Sequence, residues 1–364
     1  MIQPEEAGPG NGVSLPDADG RVLEEMLRHI ERLPEPLQPS AFWRHFIEKN
    51  LDQLRRCGLS EFKRTINQNY FNWVPRASDN NQFRRLAALW AERPSLIPFE
   101  VEIEAPETLE GFFDTNPMHQ PERLALYRAF VALLWHHACE TDPDGLTQRL
   151  EEPELGNPIR TILRGRRISQ DLANSARERA AVLPYLPAGK PTVCEIGAGY
   201  GRLPYVFLTA GPVRYVIVDL PPALFVSQWY LTQLFPERRT LTFSPWTDFE
   251  EVRERFEAAD LVFLTPDQLA RTGDGWADAC VTISTLGEML PAQIDWYRAE
   301  MARVSRGVVY IKQWLRTENA LDGLILTKAD YDMPASFEAV LDRPDPVHDQ
   351  FFETVWRRRA ASAA

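Results

Sequence analysis

The chain has 364 residues, of which 44% are hydrophobic and 25% charged. This composition is typical of a globular protein, and the length allows two domains of ordinary size. The net charge of −12, from 40 basic and 52 acidic residues, argues against a nucleic-acid partner, because phosphate neutralisation dominates such binding.

The N-terminal 20 residues are rich in Gly, Pro and Asp, and they predict a loose tail. They lack the basic and apolar regions of a signal peptide, and no apolar run in the chain approaches the roughly 20 residues that span a bilayer. We therefore expect no membrane span and a cytoplasmic location. The four cysteines form no CxxC motif, so neither a disulfide framework nor a metal site is indicated; the sequence leaves metal dependence and oligomeric state open.

Residues 21–185 are predicted to form a helical N-terminal domain that covers the second half of the chain. Leu23, Met26, Leu27 and Ile30 share one helical face, as expected for an amphipathic helix. A longer segment around residues 124–134 shows the same periodicity. Residues 1–110 match no pattern that identifies a substrate.

Two histidines stand out in loops. His119 lies between prolines and His348 lies within the connection of a predicted C-terminal hairpin, whereas the other four histidines follow helical patterns and are expected to pack or face solvent. Loop histidines are better candidates for catalysis. We therefore take His119 and His348 as candidate catalytic residues.

The segment 154–175 carries many neutral hydrogen-bonding side chains, including Asn157 and Asn174. Such groups recognise sugar hydroxyls, so both are candidate substrate-binding residues. A helix that starts with Ser169 as its N-cap explains part of the segment equally well. The basic run at 164–167 either binds a phosphate or forms a solvated turn, and the turn is favoured.

After residue 185 the pattern changes to apolar strands that alternate with helices, which indicates a parallel sheet covered on both faces. The predicted strands are 192–196, 214–219, 240–243 or 260–264, 278–284 and 307–312. The predicted helices are 202–210, 222–235, 248–257 and 291–304. Two further strands, at 336–341 and 350–356, predict a terminal antiparallel hairpin. The fold class is thus α/β, with a Rossmann-like sheet over residues 186–364 of the kind that class I methyltransferases have.

The segment Glu195-Ile-Gly-Ala-Gly-Tyr-Gly201 follows the first of these strands. Its glycines allow a sharp turn and the close approach of a ligand, and the helix that follows offers free N–H groups to a carboxylate. Asp219 ends the next strand, where a carboxylate can accept hydrogen bonds from ribose hydroxyls. This pattern favours S-adenosylmethionine (SAM) as the cofactor.

Two alternatives to SAM were weighed. A nicotinamide fingerprint would require a third glycine at position 202, which is Arg, so that alternative is disfavoured. The second alternative is a glycine turn that binds no ligand. It does not explain why Glu195 and Asp219 stand at matching positions beside the turn. The predicted cofactor-binding residues share the carboxyl ends of the strands. They are Glu195, Gly197, Ala198, Gly199, Gly201, Asp219, Leu220, Asp267, Gln268 and Thr285, with Asp267 or Gln268 placed to contact the adenine.

Glu288, in the loop after the fourth strand, is the first candidate for a chemical role. A hydroxyl that accepts a methyl group loses its proton, so a carboxylate within reach is useful. The alternatives are substrate binding and a structural role, in which Glu288 caps the helix that begins near Pro291 or orders the loop at the SAM site. Gln313, after the fifth strand, is a further candidate substrate-binding residue.

Together the run 193–204, the turn after Asp219, Thr285-Leu-Gly-Glu-Met289 and the segments 156–158 and 168–175 resemble the sugar O-methyltransferase family, over roughly residues 150–357. The resemblance implies SAM-dependent methylation of a sugar hydroxyl. The acceptor is therefore expected to be a carbohydrate or another small molecule. A methyltransferase of a non-sugar molecule and a non-catalytic SAM-binding protein remain as alternatives.

Overall fold

The computed structural model describes residues 17–65, 101–102 and 121–360. The N-terminal part contains three helices and the short strand β1. Their bounds are α1 Asp17–Ile30, α2 Ala41–Cys57, α3 Phe62–Thr65 and β1 Val101–Glu102. Ser40 caps α2, because its hydroxyl accepts a hydrogen bond from the Trp43 N–H and so satisfies a donor that the helix itself leaves free.

A second helical layer joins this part to the sheet. The helix α4, Pro121–Glu140, is followed by the short antiparallel strands β2, Thr161–Leu163, and β3, Arg166–Ile168, and then by α5, Gln170–Val182. The two strands lie in a region that the sequence predicted to be helical. Arg164 and Gly165 adopt positive φ angles in the turn between them, so the basic run begins in the turn of a hairpin and continues into β3.

The large sheet contains eight strands among the described residues. Six of them carry the parallel part: β4 Thr192–Ile196, β5 Arg214–Val218, β6 Thr240–Leu241, β7 Leu261–Leu264, β8 Ala277–Ile283 and β9 Ser305–Trp314. After a small hairpin, β10 Arg316–Asn319 and β11 Leu324–Thr327, the strands β12 Phe337–Pro344 and β13 Phe351–Arg358 complete the sheet.

The strand order is β12-β13-β9-β8-β4-β5-β7-β6. Strands β4 to β9 pair in parallel, whereas β13 runs antiparallel to both β9 and β12. The order reverses at β4, because β5 lies on one side of it and β8 on the other. The predicted α/β fold with a terminal antiparallel hairpin is confirmed, and both alternatives for the third strand exist, with 240–241 at the edge and 261–264 next to β5.

Helices cover both faces of the sheet, as the apolar strands require. They are α6 Arg202–Ala210, α7 Ala223–Leu234, α8 Arg253–Ala258, α9 Pro266–Arg271 and α10 Pro291–Val304. One core cluster joins α6 and α7 to one face and the other joins α8, α9 and α10 to the opposite face. The buried side chains of α1 and α2 belong to the first cluster, so the N-terminal helices pack directly on the half of the protein that carries the glycine turn.

None of the described helices combines the length and the apolar character that crossing a membrane requires.

Candidate functional site

The glycine turn lies at the carboxyl end of β4, where the strand order reverses. Gly197, Gly199 and Gly201 have φ angles of 75°, 59° and 92°, a backbone region that favours glycine. A Cβ on Gly197 would stand 2.2 Å from Thr285 Oγ1, and one on Gly201 would stand 2.8 Å from Leu231 Cδ1. These two glycines therefore allow close internal packing of the turn as well as its left-handed backbone.

Asp219 follows β5 and holds the turn from the neighbouring strand. Its carboxylate accepts hydrogen bonds from the N–H groups of Gly199, at 2.9 Å, and Leu220, at 2.7 Å. Burial raises the pKa of this carboxyl to about 7, because no cation lies against it to offset the lost hydration. Asp219 is thus held in a fixed position beside the turn, and no described cation compensates the charge of its buried carboxylate.

Glu195, the last-but-one residue of β4, is a second buried acid of this kind. The Tyr215 hydroxyl donates a hydrogen bond to Glu195 Oε2 at 2.8 Å, and burial raises the pKa of the Glu195 carboxyl to about 8. Neither Glu195 nor Asp219 forms an ion pair with any described residue. Two acids of raised pKa therefore flank the glycine turn.

Glu288 lies on the loop after β8. Strand β8 pairs with β4 on the side opposite β5, so this loop and Asp219 lie on opposite sides of the glycine turn. Its side chain is buried, and Oε2 has no hydrogen-bond partner among the residues that the structure describes. Burial alone raises the pKa of this carboxyl well above its usual value. At the start of α10, Gln293 Oε1 accepts a hydrogen bond from the Leu290 N–H at 2.9 Å. The cap of this helix is therefore Gln293 and not Glu288.

The loop that carries Glu288 is held by Gln313 and Thr285. In the amide orientation that satisfies its surroundings, the Gln313 oxygen accepts from the N–H groups of Ser284, Thr285 and Leu286 at 2.9–3.2 Å. Gln313 is fully buried, and the Thr285 hydroxyl donates to Gly197 O at 3.3 Å. The loop and the glycine turn are thus connected directly, and the Gln313 oxygen is engaged in supporting them.

The predicted adenine contacts follow β7. Asp267 Oδ1 lies 2.9 Å from His29 Nε2 of α1, and its other oxygen pairs with Arg271. These partners hold the pKa of the Asp267 carboxyl low, at about 2, against the effect of burial. Gln268 uses both ends of its amide, accepting from the Thr265 N–H and donating to Ser244 O. Asp267 and Gln268 are therefore already engaged by protein groups.

The N-terminal helices close over this edge of the sheet. The Ser40 hydroxyl donates to Glu288 O at 3.2 Å, and the Phe62 ring packs 5.3 Å from the ring of Tyr200 in the glycine turn. Lys63 is buried, pairs with Glu152 and donates to the Tyr230 hydroxyl at 3.0 Å. The segment from Ser40 to Lys63 therefore reaches from the Glu288 loop to the glycine turn.

Beside the turn, α5 takes part in a group of buried, mutually paired charges that we call the paired cluster: Arg177, Glu178, Arg202, Lys312 and Asp345. Lys312 Nζ lies 3.1 Å from Glu178 and 2.9 Å from Asp345, Arg177 lies 3.0 Å from Asp345, and Arg202 lies 2.5 Å from Glu178. The cations hold the pKa values of both acids below their usual range despite burial. Each acid in this cluster has two cationic partners.

His348 and Asn174 adjoin the paired cluster. The backbone N–H of His348 donates to Asp345 Oδ1 at 2.8 Å, and burial, with Lys312 nearby, lowers the pKa of its imidazole to about 3. The Asn174 oxygen accepts from Arg177 at 3.3 Å. His348 is thus a neutral side chain at ordinary pH, and both residues contact the paired cluster.

The other predicted site residues lie elsewhere. Asn157 has a φ of 53°, and its amide donates to Glu61 at 2.6 Å, on the segment beyond α2. His119 lies outside the described residues. Ser169 caps α5 by accepting from the Leu172 N–H, as expected from its position before the helix.

Several residues at this site gave no signal in the sequence. Tyr200 donates from its hydroxyl to Asp171 at 2.5 Å, and burial raises the pKa of the Asp171 carboxyl to about 7. His29 and Lys63 reach the site from helices whose patterns indicated only packing. Their roles depend on contacts between residues far apart in the chain, which local patterns do not contain.

Within the described ranges, no group of three or more His, Cys, Asp or Glu side chains is arranged to hold a metal ion.

No family model matches the chain, and no curated protein matches it significantly. Solved structures with a similar fold include a mitomycin 7-O-methyltransferase, at 14% identity and a TM-score of 0.33, over 51% of this chain and 57% of that one. A magnesium protoporphyrin IX methyltransferase from Synechocystis with bound SAM matches at 12% identity and a TM-score of 0.34, over 52% and 79% of the two chains.

A third similar structure is a 1,6-didemethyltoxoflavin-N1-methyltransferase from Burkholderia thailandensis with bound S-adenosylhomocysteine. It matches at 16% identity and a TM-score of 0.36, over 52% of this chain and 79% of that one. Similarities at this level concern the fold alone. The chemistry of the site therefore has to follow from the residues of this chain.

Proposed function

We propose that this protein is a SAM-dependent O-methyltransferase that acts on a sugar hydroxyl. The observation that carries the proposal is a group of three buried acids, Glu195, Asp219 and Glu288, at the carboxyl ends of three adjacent strands around one glycine turn. None of the three forms an ion pair with a described residue, and burial raises the pKa of each, although Arg202 partly offsets this effect at Glu195. Uncompensated buried acids at a strand-order reversal are typical of a ligand site.

The residues fit the cofactor group by group. The glycine turn and the N-terminus of α6 suit the carboxylate of a methionine moiety. Glu195 can face its cationic amino group, and Asp219 retains lone pairs for ribose hydroxyls. When bound there, SAM supplies a methyl group on a sulfonium that is poised for transfer. A cationic ligand beside Glu195 also supplies the positive charge that this buried acid lacks.

The chain's own contribution to the reaction is positioning and proton removal. SAM bound at this site would supply the methyl group, and its sulfur would keep the electrons of the broken bond when the acceptor oxygen takes that methyl. The acceptor's proton passes to Glu288 in its ionised form, and the raised pKa of this carboxyl makes that carboxylate a stronger base. The hydrogen bond from the Thr285 hydroxyl to Gly197 O joins the Glu288 loop to the glycine turn. This bond keeps the base beside the cofactor.

A sugar acceptor is favoured by the resemblance to sugar O-methyltransferases. The direct test is incubation of the protein with SAM and a panel of glycans, nucleotide sugars and small phenols, with S-adenosylhomocysteine measured as the product. Turnover with a carbohydrate alone is the expected result. Turnover with the phenols alone would contradict the sugar assignment, and SAM binding with no turnover on any acceptor would favour the non-catalytic alternative.

A further inference from the structure

Helix α1 places a histidine at the carboxyl end of β7. His29 Nε2 lies 2.9 Å from Asp267 Oδ1 and 3.2 Å from Thr265 Oγ1. Thr265 directly follows β7, as Asp219 directly follows β5, and the Asp219 N–H donates to Leu264 O at 3.2 Å. Because β5 lies between β4 and β7, His29 is held one strand beyond the proposed ribose ligand, on the side away from the glycine turn.

The two residues that the sequence places at the adenine both have protein partners. Asp267 Oδ1 also accepts from the Thr265 hydroxyl at 2.7 Å, and its other oxygen pairs with Arg271. Gln268 accepts from the Thr265 N–H and donates to a backbone carbonyl. Neither side chain presents an oxygen that the fold has left without a partner. The polar group that Asp267 holds in place, His29, is the one that remains for a ligand.

The Asp267 carboxylate determines which nitrogen of His29 carries the proton. The pKa of this carboxyl is held at about 2, so it is ionised and can only accept hydrogen bonds. Nε2 of His29, which faces it, is therefore the N–H donor. In the neutral imidazole the other nitrogen, Nδ1, is then an acceptor. The ring of Phe243 packs edge-on against the His29 ring at 5.4 Å and helps to fix its orientation.

Nδ1 of His29 is within reach of a small molecule. It has no hydrogen-bond partner among the described residues, and the buried polar atoms that lack a partner in this part of the chain do not include it. The His29 side chain is 16% exposed, against 8% for Asp267 behind it. A ligand at the carboxyl edge of the sheet can therefore contact His29 without opening the core.

The chemistry of an acceptor nitrogen selects the ligand group. The exocyclic amine of adenine is a hydrogen-bond donor, and in the proposed function the adenine extends beyond the ribose held by Asp219. A role for His29 in proton removal is disfavoured by its place in the sheet. Strands β5 and β4 separate β7 from β8, whose loop carries Glu288.

We propose that His29 recognises the amino group of the cofactor's adenine by accepting a hydrogen bond at Nδ1, and that Asp267 is a positioning residue that orients the imidazole. This inference rests on the proposed function and deepens it. It assigns to the N-terminal helix α1 a part of the cofactor site, so that this helix completes the site as well as covering it.

The test compares two ligands that differ at one position of the base. S-inosylhomocysteine carries a carbonyl oxygen where S-adenosylhomocysteine carries the amine, so it would set two acceptors against each other at His29. Calorimetry on the wild type should give an affinity for S-adenosylhomocysteine that is about tenfold higher or more. In His29→Phe, which keeps a ring beside Phe243 but has no acceptor, this ratio should fall by about fivefold or more. His29→Gln, which retains a donor and an acceptor, should keep a larger part of the preference.

His45→Phe is the matched control. His45 lies on α2, is exposed, and packs edge-on against Phe46 at 5.2 Å, so this variant should leave the ratio unchanged. A measurement on the wild type keeps the inference testable if His29→Phe does not fold. In heteronuclear NMR spectra of the histidine rings, His29 should be protonated at Nε2, and its Nδ1 resonance should shift when S-adenosylhomocysteine is added.

Three results would overturn the inference: equal affinities of the wild type for the two ligands, an unchanged ratio in His29→Phe, or a His29 ring that carries its proton at Nδ1 in the complex. A variant that loses affinity for both ligands to the same extent has an unchanged ratio, and it would show that His29 only supports the fold. The proposed function fails separately, if the wild type does not bind S-adenosylhomocysteine at all. The two failures are therefore distinguishable in one set of measurements.

Discussion

The protein contains two groups of buried acids whose pKa values are shifted in opposite directions. Glu178 and Asp345, in the paired cluster, each contact two cations, and their pKa values are lowered. Glu195, Asp219 and Glu288, which we call the unpaired acids, have no such partner among the described residues, and their pKa values are raised.

The difference separates stability from function. A buried charge that the fold pairs with a counter-charge contributes to a defined structure, and removal of one partner is strongly destabilising. A buried acid that the fold leaves unpaired costs stability, so its presence indicates a ligand that completes it. Substitutions in the paired cluster should therefore affect unfolding, and substitutions among the unpaired acids should affect binding and turnover.

The largest expected effect is on turnover, at Glu288. Glu288→Gln keeps the size of the side chain but removes its ability to accept a proton, so kcat should fall about 10²–10⁴-fold while SAM affinity stays within a few-fold. Steady-state kinetics and calorimetry measure the two quantities. Glu318→Gln, at an exposed position on β10, is the control and should be unchanged. A Glu288→Gln variant with normal kcat and weakened folding would place this acid with the structural group.

The next effect is on stability, at Lys312. Lys312→Met leaves Glu178 and Asp345 buried with fewer counter-charges, so the free energy of unfolding should fall by about 3–5 kcal/mol. Denaturant unfolding measures it, and Lys328→Met, which removes a half-exposed lysine paired with Asp342, is the control. A loss no larger than in the control would show that the pairing does not support the fold.

A smaller effect is expected on cofactor affinity, at Asp219. Asp219→Ala should weaken SAM binding by about 1.5–3 kcal/mol, the range for lost hydrogen bonds to a charged acceptor. The variant removes a buried charge but also the acceptor of the Gly199 and Leu220 N–H groups, so affinity is compared with that of a control variant at a temperature where both are folded. Asp332→Ala, at an exposed position, is that control. Unchanged affinity in Asp219→Ala would separate this acid from the cofactor.

The smallest expected effect is a dependence of binding on pH. In the free protein, the carboxyl pKa values of Asp219 and Glu195 are raised to about 7 and about 8, so both bind protons at neutral pH. If the cofactor prefers the ionised forms, the affinity for S-adenosylhomocysteine should rise from pH 6 to pH 8.5, roughly tenfold per ionisation over a unit of pH. Calorimetry in buffers of different ionisation enthalpy should detect proton release.

The raised pKa values of Asp219 and Glu195 also determine the direction in which the stability of the free protein changes with pH. A carboxyl whose folded pKa lies above its unfolded value stabilises the folded state less as pH rises, so this contribution is lost between about pH 4 and pH 8. The free protein should therefore unfold more readily at pH 9 than at pH 6, and S-adenosylhomocysteine should reduce the difference. A flat profile for both affinity and stability would contradict the assignment of these two acids as unpaired.

Much of the unpaired group was predictable, because its members stand at the ends of apolar strands or in the loops that follow them. That position identifies Glu195, Asp219 and Glu288 in the sequence. Parallel strands place their carboxyl ends at the same edge of the sheet, which brings the three acids together. The glycine turn was predictable for the same reason. The closing antiparallel hairpin carried its own strand pattern and was predicted with shifts of a few residues.

The paired cluster was not predictable, because its contacts join residues that are distant in the chain. Arg177 and Asp345 are separated by 168 positions, and neither has a local pattern that indicates its partner. The hairpin of β2 and β3 was missed because strands of three residues are too short to show an alternating pattern.

The most direct test of the central claim, that the unpaired acids form a SAM site, is a calorimetric titration of the wild-type protein with SAM and, separately, with NAD. The account predicts saturable binding of SAM at micromolar concentrations and no heat of binding for NAD. Binding of NAD without binding of SAM would contradict it.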